Sequence, residues 1–433
     1  MSSLPMTLLL SVVSKMPKPI RDSVEMRIPD ITNDASKVQL LRPSHVYVEH
    51  PNLDQFAKFA ADFGLVEASR SRTGDTIYFR GYGRDPYCYV ATKSRDSVPR
   101  FKGGAFVARS REDFDKAARM PGATLGSLTY CPGGGEIVTF TRPDNTFFHV
   151  VYGQKEREPD HHTQGTGADD YNAGETVHEP SAITESLGPF NTPFSKPRKG
   201  KFQRFHPGPA LVHKLGHFGY VFPDFDAELA WYTGNFNFVP SDVLHHWDFA
   251  NIDVMAFMHL DHLDHKDQQR QQQQQQPGAG KGEIESAEDE SWWSDHHCFF
   301  LQRAEPHVTK AFCHHTSFEV SDVDTQLVGH EYLASKGWHS VWGVGRHVLG
   351  SQIFDYWADP SGFKIEHYAD GDLVGKGTPT KREVVGPFAV WGPEMPSDFG
   401  DKFPEAFLSK MRGSGDGSAG GFLSRWWWSG SQA

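Results

Sequence analysis

Four times along the chain, a short run of alternating apolar and polar residues gives way to a stretch with helical spacing. The clearest runs are LGHFGYVFPDFDAEL from Leu215 and FCHHTSFEVSDVDTQL from Phe312. In both, a histidine precedes an aspartate by nine residues: His217 to Asp226, and His315 to Asp324. SHVYVEHPNLDQF repeats the spacing with His45 and Asp54. GAFVARSREDFDKA repeats it again with Gly104 and Asp113, the histidine being absent. Alternation with period two reads as a strand, and the segments after each aspartate (DQFAKFAADFGL, DAELAWYTGNF) read as helices. Short strands follow each helix. The unit is therefore β-α-β-β-β, present four times, which predicts an α+β fold built by internal duplication.

The C-terminal run GVGRHVLGSQIFDYWADPSGFKIEHY holds His347, Tyr356 and Glu366 at separations of nine and ten residues. The DPSG segment, Asp359 to Gly362, predicts a hairpin turn between a strand carrying Tyr356 and a strand carrying Glu366. A carboxylate on an otherwise apolar strand costs several kcal/mol to bury unless an arginine or a metal compensates it. The two upstream histidine-bearing strands favour a metal, with His217, His315 and Glu366 as its ligands. Counting back nine residues from Asp324 selects His315 and turns His314 to the opposite face. A one-residue slip of register would exchange the two, so His314 is the alternative.

The remaining pattern divides the chain. Residues 1–40 show no sustained periodicity and are expected to be disordered, and residues 41–152 carry the first two modules. Residues 153–205 are rich in Gly, Pro and acidic residues and predict a linker. Residues 206–372 carry the other two modules. Within them, residues 262–294 form a polar insertion with a glutamine run, read as a solvated loop. Residues 373–433 form a tail ending in RWWWSGSQA, expected to dock on the body.

Composition narrows the function classes. A chain of 433 residues allows two or three sizeable cores. The formal net charge of -12 argues against a nucleic-acid surface. No run of eighteen apolar residues occurs, so no membrane span is predicted. The first residues lack the basic start of a signal peptide. Cys88, Cys131, Cys298 and Cys313 show no paired spacing. A reducing, cytoplasmic location is the expectation, which also suits ferrous iron.

On His217, the pair His314–His315 and the segment from Gly343 to Tyr368, the chain resembles the type I extradiol (catechol ring-cleaving) dioxygenases of the vicinal oxygen chelate superfamily. The resemblance covers residues 42–152 and 212–372. It implies that the four modules pair into two open, mixed, β-barrel-like domains, of which only the C-terminal one binds metal. Aligning RPDNTFFH with DPSGFKIE puts His149 where Glu366 stands, and the repeat puts Gly104 where His315 stands. The N-terminal domain is thus read as a non-catalytic scaffold, with His45 an ordinary strand histidine.

The resemblance also implies a chemistry. Two imidazoles and one carboxylate hold Fe(II) with positions open on one face, the set used by non-haem iron enzymes that activate O2. Mn(II) would satisfy the same donors. The substrate is a small aromatic diol, O2 is the co-substrate, and assembly into a homo-oligomer is compatible with the family. His347 and Tyr356 match the family's substrate-side His and Tyr. DHHCFFL matches the strand with an acid/base histidine, which gives His297, with His307 and His259 as alternatives. Arg346 could meet a substrate carboxylate or form a salt bridge. Two other readings stand beside the dioxygenase: a glyoxalase-like isomerase, which would draw a further carboxylate from the end of module three, and a metal-free binding module, which leaves Glu366 without a partner.

Overall fold

The computed structural model describes residues 26–160, 191–200, 207–246, 251–263, 293–396 and 399. The first 25 residues, most of the predicted linker and insertion, and the tryptophan-rich end lie outside the described residues. The four predicted modules are present as β-α-β-β-β units. The first comprises β1 (Leu40–His50), α1 (Leu53–Phe63), β2 (Val66–Arg70), β3 (Thr76–Arg80) and β4 (Tyr89–Lys93). The second comprises β5 (Arg100–Ala108), α2 (Arg111–Arg119), β6 (Ala123–Ser127), β7 (Glu136–Thr141) and β8 (Phe147–Tyr152). The third comprises β9 (Leu215–Phe222), α3 (Phe225–Asn235), β10 (Phe238–His245), β11 (Asp253–Leu260), a two-residue β12 (Ser294–Asp295) and β13 (Phe299–Arg303). The fourth comprises β14 (Phe312–Glu319), α4 (Val323–Ser335), β15 (His339–His347), β16 (Ile353–Ala358) and β17 (Lys364–Ala369).

Local chemistry sets the helix boundaries. Asn52, Ser110 and Asp322 each accept a hydrogen bond from the backbone three residues on, capping α1, α2 and α4. Each helix then buries one face on its sheet.

Modules one and two pair through β1 and β5 into an eight-stranded mixed sheet, β2-β3-β4-β1-β5-β8-β7-β6. Modules three and four pair through β9 and β14 in the same way. Their sheet reaches ten strands because the chain after β17 adds one at each edge. After β18 (Leu373–Val374), which pairs with β12, β19 (Lys381–Val384) lies beside β10 and β20 (Ala389–Trp391) beside β15. These short additions cover edges that would otherwise present unpaired backbone groups.

One aromatic core runs through both halves. Phe106 of β5 packs on Phe148, Phe218, Phe238 and Phe299, and Phe63 of α1 packs on Phe318. Burying each such ring contributes about 1.5–3 kcal/mol.

The segment expected to be disordered is ordered from Met26 onward. Met26 pairs with Ile252, the Ile28 amide donates to Asp253 at 2.6 Å, and the Val38 amide donates to the Asn235 carbonyl at 2.9 Å. Ile28 and Val38 are buried. Their partners come from the C-terminal half, so no local periodicity announces them. The predicted linker likewise begins later than expected. The amides of Lys155, Arg157 and Asp160 donate to the carbonyls of Gly133, Arg84 and Tyr82.

Sheet register corrects the alignment of the two halves. Ala105 pairs with His149 across β5 and β8, as Ser317 pairs with Glu366 across β14 and β17. His149 thus does occupy the place of Glu366. The place of His315, two residues before Ser317, falls on Gly103 rather than Gly104. Gly103 has φ +97°, within a register irregularity of the β1–β5 pair. Gly104 instead faces the other half: a Cβ there would lie 2.2 Å from the Phe218 ring. Gly104→Ala is expected to destabilise the chain by about 1–3 kcal/mol through overpacking, read as a lower urea midpoint. An unchanged midpoint would show that the Phe218 ring moves aside freely.

Candidate metal centre

Three adjacent strands, β9, β14 and β17, bring His217, His315 and Glu366 together. Their ligand-type atoms all lie within 4.8 Å of one another, and all three residues are buried. His217 Nε2 is 3.1 Å from His315 Nε2, and these nitrogens are 3.2 and 3.4 Å from Glu366 Oε2. Donors about 2.1 Å from one cation and at right angles to each other would be about 3.0 Å apart. The donor set is therefore close to that of a single divalent cation bound on three neighbouring positions.

Electrostatics and unpaired atoms fit the same group. Glu366 is 0% exposed, and neither of its oxygens accepts a hydrogen bond of ordinary geometry. Burial alone would raise its pKa. The imidazoles of His217, His315 and His347 outweigh that and hold the carboxyl well below its usual range. Burial lowers the pKa of His315 to about 4, which leaves it neutral, the form that binds a metal.

The paired histidines depart from strand alternation. A register irregularity between Cys313 and His315 places both rings on the same side of β14. Their ring centroids are 5.0 Å apart and their Nδ1 atoms 2.7 Å apart. The expectation that His314 faces away is thus overturned. Its Nδ1 is placed to accept from His315 Nδ1–H, which leaves His315 Nε2 with a free lone pair toward the donor set.

Around the donors stand the other candidates. His347 Nε2 is 3.0 Å from the Tyr356 hydroxyl and 3.8 Å from Glu366 Oε1. His347 Nδ1 is 3.0 Å from the Phe388 carbonyl and donates to it, which sets the orientation of the ring. Burial raises the Tyr356 phenol well above its ordinary pKa, so it stays protonated and can donate. The His297 ring lies 4.2 Å from the His217 ring, and burial keeps it neutral.

The alternatives lie elsewhere. The His307 side chain is 70% exposed and pairs with Glu305. His259 contacts the Ser241 hydroxyl at 2.7 Å. Arg346 donates to the Ser351 carbonyl and pairs with Asp370, so its charge is engaged at the rim.

In the N-terminal half, both ring nitrogens of His149 are occupied, by Thr139 and the Lys102 carbonyl. His45 contacts Ser44 at 2.8 Å. Neither joins a metal-type group among the described residues.

Sequence reasoning missed three neighbours of the site. His296 carried a signal, being half of a second His-His pair. Phe388 acts through its backbone carbonyl, and Phe399 through a ring packed on His314, Trp342 and Tyr356. Neither leaves a mark in the sequence.

Comparison with known proteins agrees with the fold. Residues 214–367 match the model of the Glyoxalase/Bleomycin resistance protein/Dioxygenase superfamily. Metapyrocatechase 2 of Cupriavidus necator is 36% identical over 112 residues, covering 24% of this chain and 33% of that protein. The chain thus spans about a third of the length of this curated relative.

Among solved structures, homoprotocatechuate 2,3-dioxygenase of Brevibacterium fuscum, in an anaerobic complex with 3,4-dihydroxyphenylacetate, aligns with TM-score 0.59 and 17% identity. The alignment covers 87% of this chain and 96% of that one. The Mn(II)-bound glyoxalase of Novosphingobium aromaticivorans aligns with TM-score 0.57 and 18% identity over 83% of this chain and 93% of that one. At these identities the likeness establishes a shared fold: mixed α+β, with paired modules in two multi-stranded sheets.

His314→Phe removes the acceptor for His315 Nδ1 while keeping an aromatic ring. It is expected to weaken Mn(II) or Zn(II) binding by about 10–100-fold, measured by competition with a chromophoric chelator. Unchanged affinity would show that packing against Phe300 and Tyr356 suffices to orient His315.

Proposed function

We propose that this chain, whose residues 214–367 match the model of the Glyoxalase/Bleomycin resistance protein/Dioxygenase superfamily, is an extradiol dioxygenase. It opens the ring of a catechol-type substrate at a bond adjacent to the two hydroxyls, and both atoms of O2 enter the product. The observation that carries this reading is a three-donor set with an apolar residue at the fourth symmetric place. Glu366 pairs with Ser317, two residues after His315. The equivalent partner of Gly219, two residues after His217, is Phe300. A glyoxalase-type site would need a carboxylate there. Phenylalanine supplies no fourth protein donor, so a bound ion would keep coordination positions for substrate. A metal-free module is disfavoured by Glu366, whose buried oxygens accept no hydrogen bond of ordinary geometry.

His217, His315 and Glu366 would hold the metal, Fe(II) by preference, with Mn(II) meeting the same donors. When bound, the ion supplies charge compensation for an ionised diol and an electron path between diol and O2. The protein's own groups then have separate tasks. His297, neutral in its buried position, accepts a proton from a catechol hydroxyl and later returns one to an oxygen of the opening ring. His347, its Nδ1 held by the Phe388 carbonyl, accepts a hydrogen bond through Nε2 from the substrate or from Tyr356. Tyr356 donates its hydroxyl to negative charge developing on the substrate. Trp342, Phe354 and Phe399, packed about Tyr356 and His347, exclude water from that side.

A reducing compartment belongs to the same reading: Cys88, Cys131, Cys298 and Cys313 are free thiols. Among the described residues, no helix is long and apolar enough to cross a membrane.

Anaerobic loading with Fe(II), followed by O2 and a panel of catechols, is expected to give a yellow ring-opened product that chelation abolishes. Bound iron without product across simple and bulky catechols would overturn the dioxygenase reading. Glu366→Ala is expected to abolish bound metal and turnover together. Normal metal content in that variant would contradict its place in the donor set.

A further inference from the structure

A buried polar chain runs from β10 to the edge of the metal centre, and the roles above use only its last member, His297. Asp242, His296 and His297 are 3%, 6% and 5% exposed. His296 Nε2 lies 2.6 Å from Asp242 Oδ2, and His296 Nδ1 lies 3.2 Å from His297 Nδ1. The far end of the chain is the His297 ring, packed on His217.

The proton positions follow from the hydrogen bonds. A carboxylate only accepts, so the His296 nitrogen that faces it, Nε2, carries a proton. With that single proton on His296, its Nδ1 accepts and His297 Nδ1 donates to it. His297 is left with its second nitrogen, Nε2, free of a proton.

His296 is fixed on several sides. Its amide donates to the Asp372 carbonyl at 2.9 Å, and its own carbonyl accepts from Ser241 Oγ at 2.6 Å. A Cβ on Gly350 would lie 2.8 Å from His296 Nδ1, so the turn at Gly350 closes tightly over the ring. The imidazole therefore has little freedom to find other partners.

We propose that Asp242 and His296 are positioning residues that hold His297 in the tautomer with its proton on Nδ1, ready to accept a second proton on Nε2. This rests on the reading of His297 as the acid/base group of catechol cleavage. In the first step, the catechol O–H bond breaks and an N–H bond forms at His297 Nε2. The imidazolium so formed is stabilised through His296 by the Asp242 carboxylate. In the return step, the Nε2–H bond breaks, and the proton passes to an oxygen of the ring-opened species. Without the chain, His296 is free to carry its proton on Nδ1 and donate to His297. That would place the His297 proton on Nε2 and leave it unable to act as a base.

Two readouts test this. Selective 15N-histidine NMR of the full chain loaded with diamagnetic Zn(II), with His297 identified by its loss in His297→Asn, reports which nitrogen bears the proton. The Nδ1–H form is expected in the unmodified chain and is expected to be lost in His296→Phe, which removes the acceptor and keeps the ring volume. Steady-state turnover of the Fe(II)-loaded chain is expected to lose at least tenfold in kcat in His296→Phe, with KM within threefold. His296→Asn, whose side-chain oxygen sits near the place of Nδ1, is expected to restore most of the loss. Asp242→Leu is expected to lower kcat in the same sense and serves if His296→Phe does not fold.

Catechol turnover by the unmodified chain separates this inference from the function beneath it. Turnover together with an Nε2–H tautomer on His297, or with undiminished kcat in both His296→Phe and Asp242→Leu, overturns the positioning chain and leaves the dioxygenase standing. An Nδ1–H tautomer lost in His296→Phe, in a chain that turns over no catechol, upholds the hydrogen-bond chain and overturns only the chemistry assigned to it.

Discussion

A carboxylate with no exposure, set in a fully buried strand, is the constraint around which this molecule is organised. Every residue of Lys364–Ala369 is buried. A charge in that position is costly unless it is met by compensating groups. Glu366 has three imidazole nitrogens within 3.2–3.8 Å and no ordinary hydrogen bond to its oxygens. The imidazoles reduce the cost, and a cation shared with them would offset the rest. The donor set and the chemistry proposed for it both follow from that one burial.

Holding Glu366 in place requires the half of the chain that lacks a ligand set. The next residue, His367, points to the opposite face of β17, where its Nε2 lies 2.7 Å from the Phe63 carbonyl and its ring stacks on Phe63 at 3.7 Å. At the turn between β16 and β17, Ser361 Oγ lies 2.7 Å from His50 Nδ1, and His50 Nε2 lies 2.9 Å from the Tyr89 hydroxyl. The hairpin carrying Tyr356 and Glu366 is therefore clamped from behind and at its tip by the N-terminal modules. The N-terminal copy of the site is closed by its own hydrogen bonds, with His149 held at both nitrogens and glycine in the place of His315. Duplication left two similar frames, and among the described residues only the C-terminal one brings three metal-type donors together.

The chain beyond β17 completes the site. It supplies the Phe388 carbonyl to His347 and the Phe399 ring to Tyr356, and the Phe399 carbonyl accepts from buried Lys364. The same segment provides edge strands β19 and β20. Edge protection and enclosure of the site thus come from one stretch of polypeptide.

The sequence by itself determined the four repeats and their α+β class and singled out the candidate donors, because period-two and helical patterns are local and each candidate sits at a fixed distance from a helix start or a turn. The nine-residue count to Asp324 pointed to His315, which the fold sets beside His217 and Glu366, since the count spans only one strand and one helix cap. It misjudged His314 and Gly104, because an irregularity in strand pairing shifts facing by one residue without altering composition. It missed the ordering of Met26 to Leu40, where Ile28, Val38 and Leu40 find partners about two hundred residues away. It read DHHCFFL only for His297, although His296 stood beside it. That His296 bridges Asp242 and His297 was decided by the packing of β10 against the segment leading into β13. Tautomers, carbonyl acceptors and bulges depend on which backbones meet, and that is a property of the folded sheet rather than of any one segment.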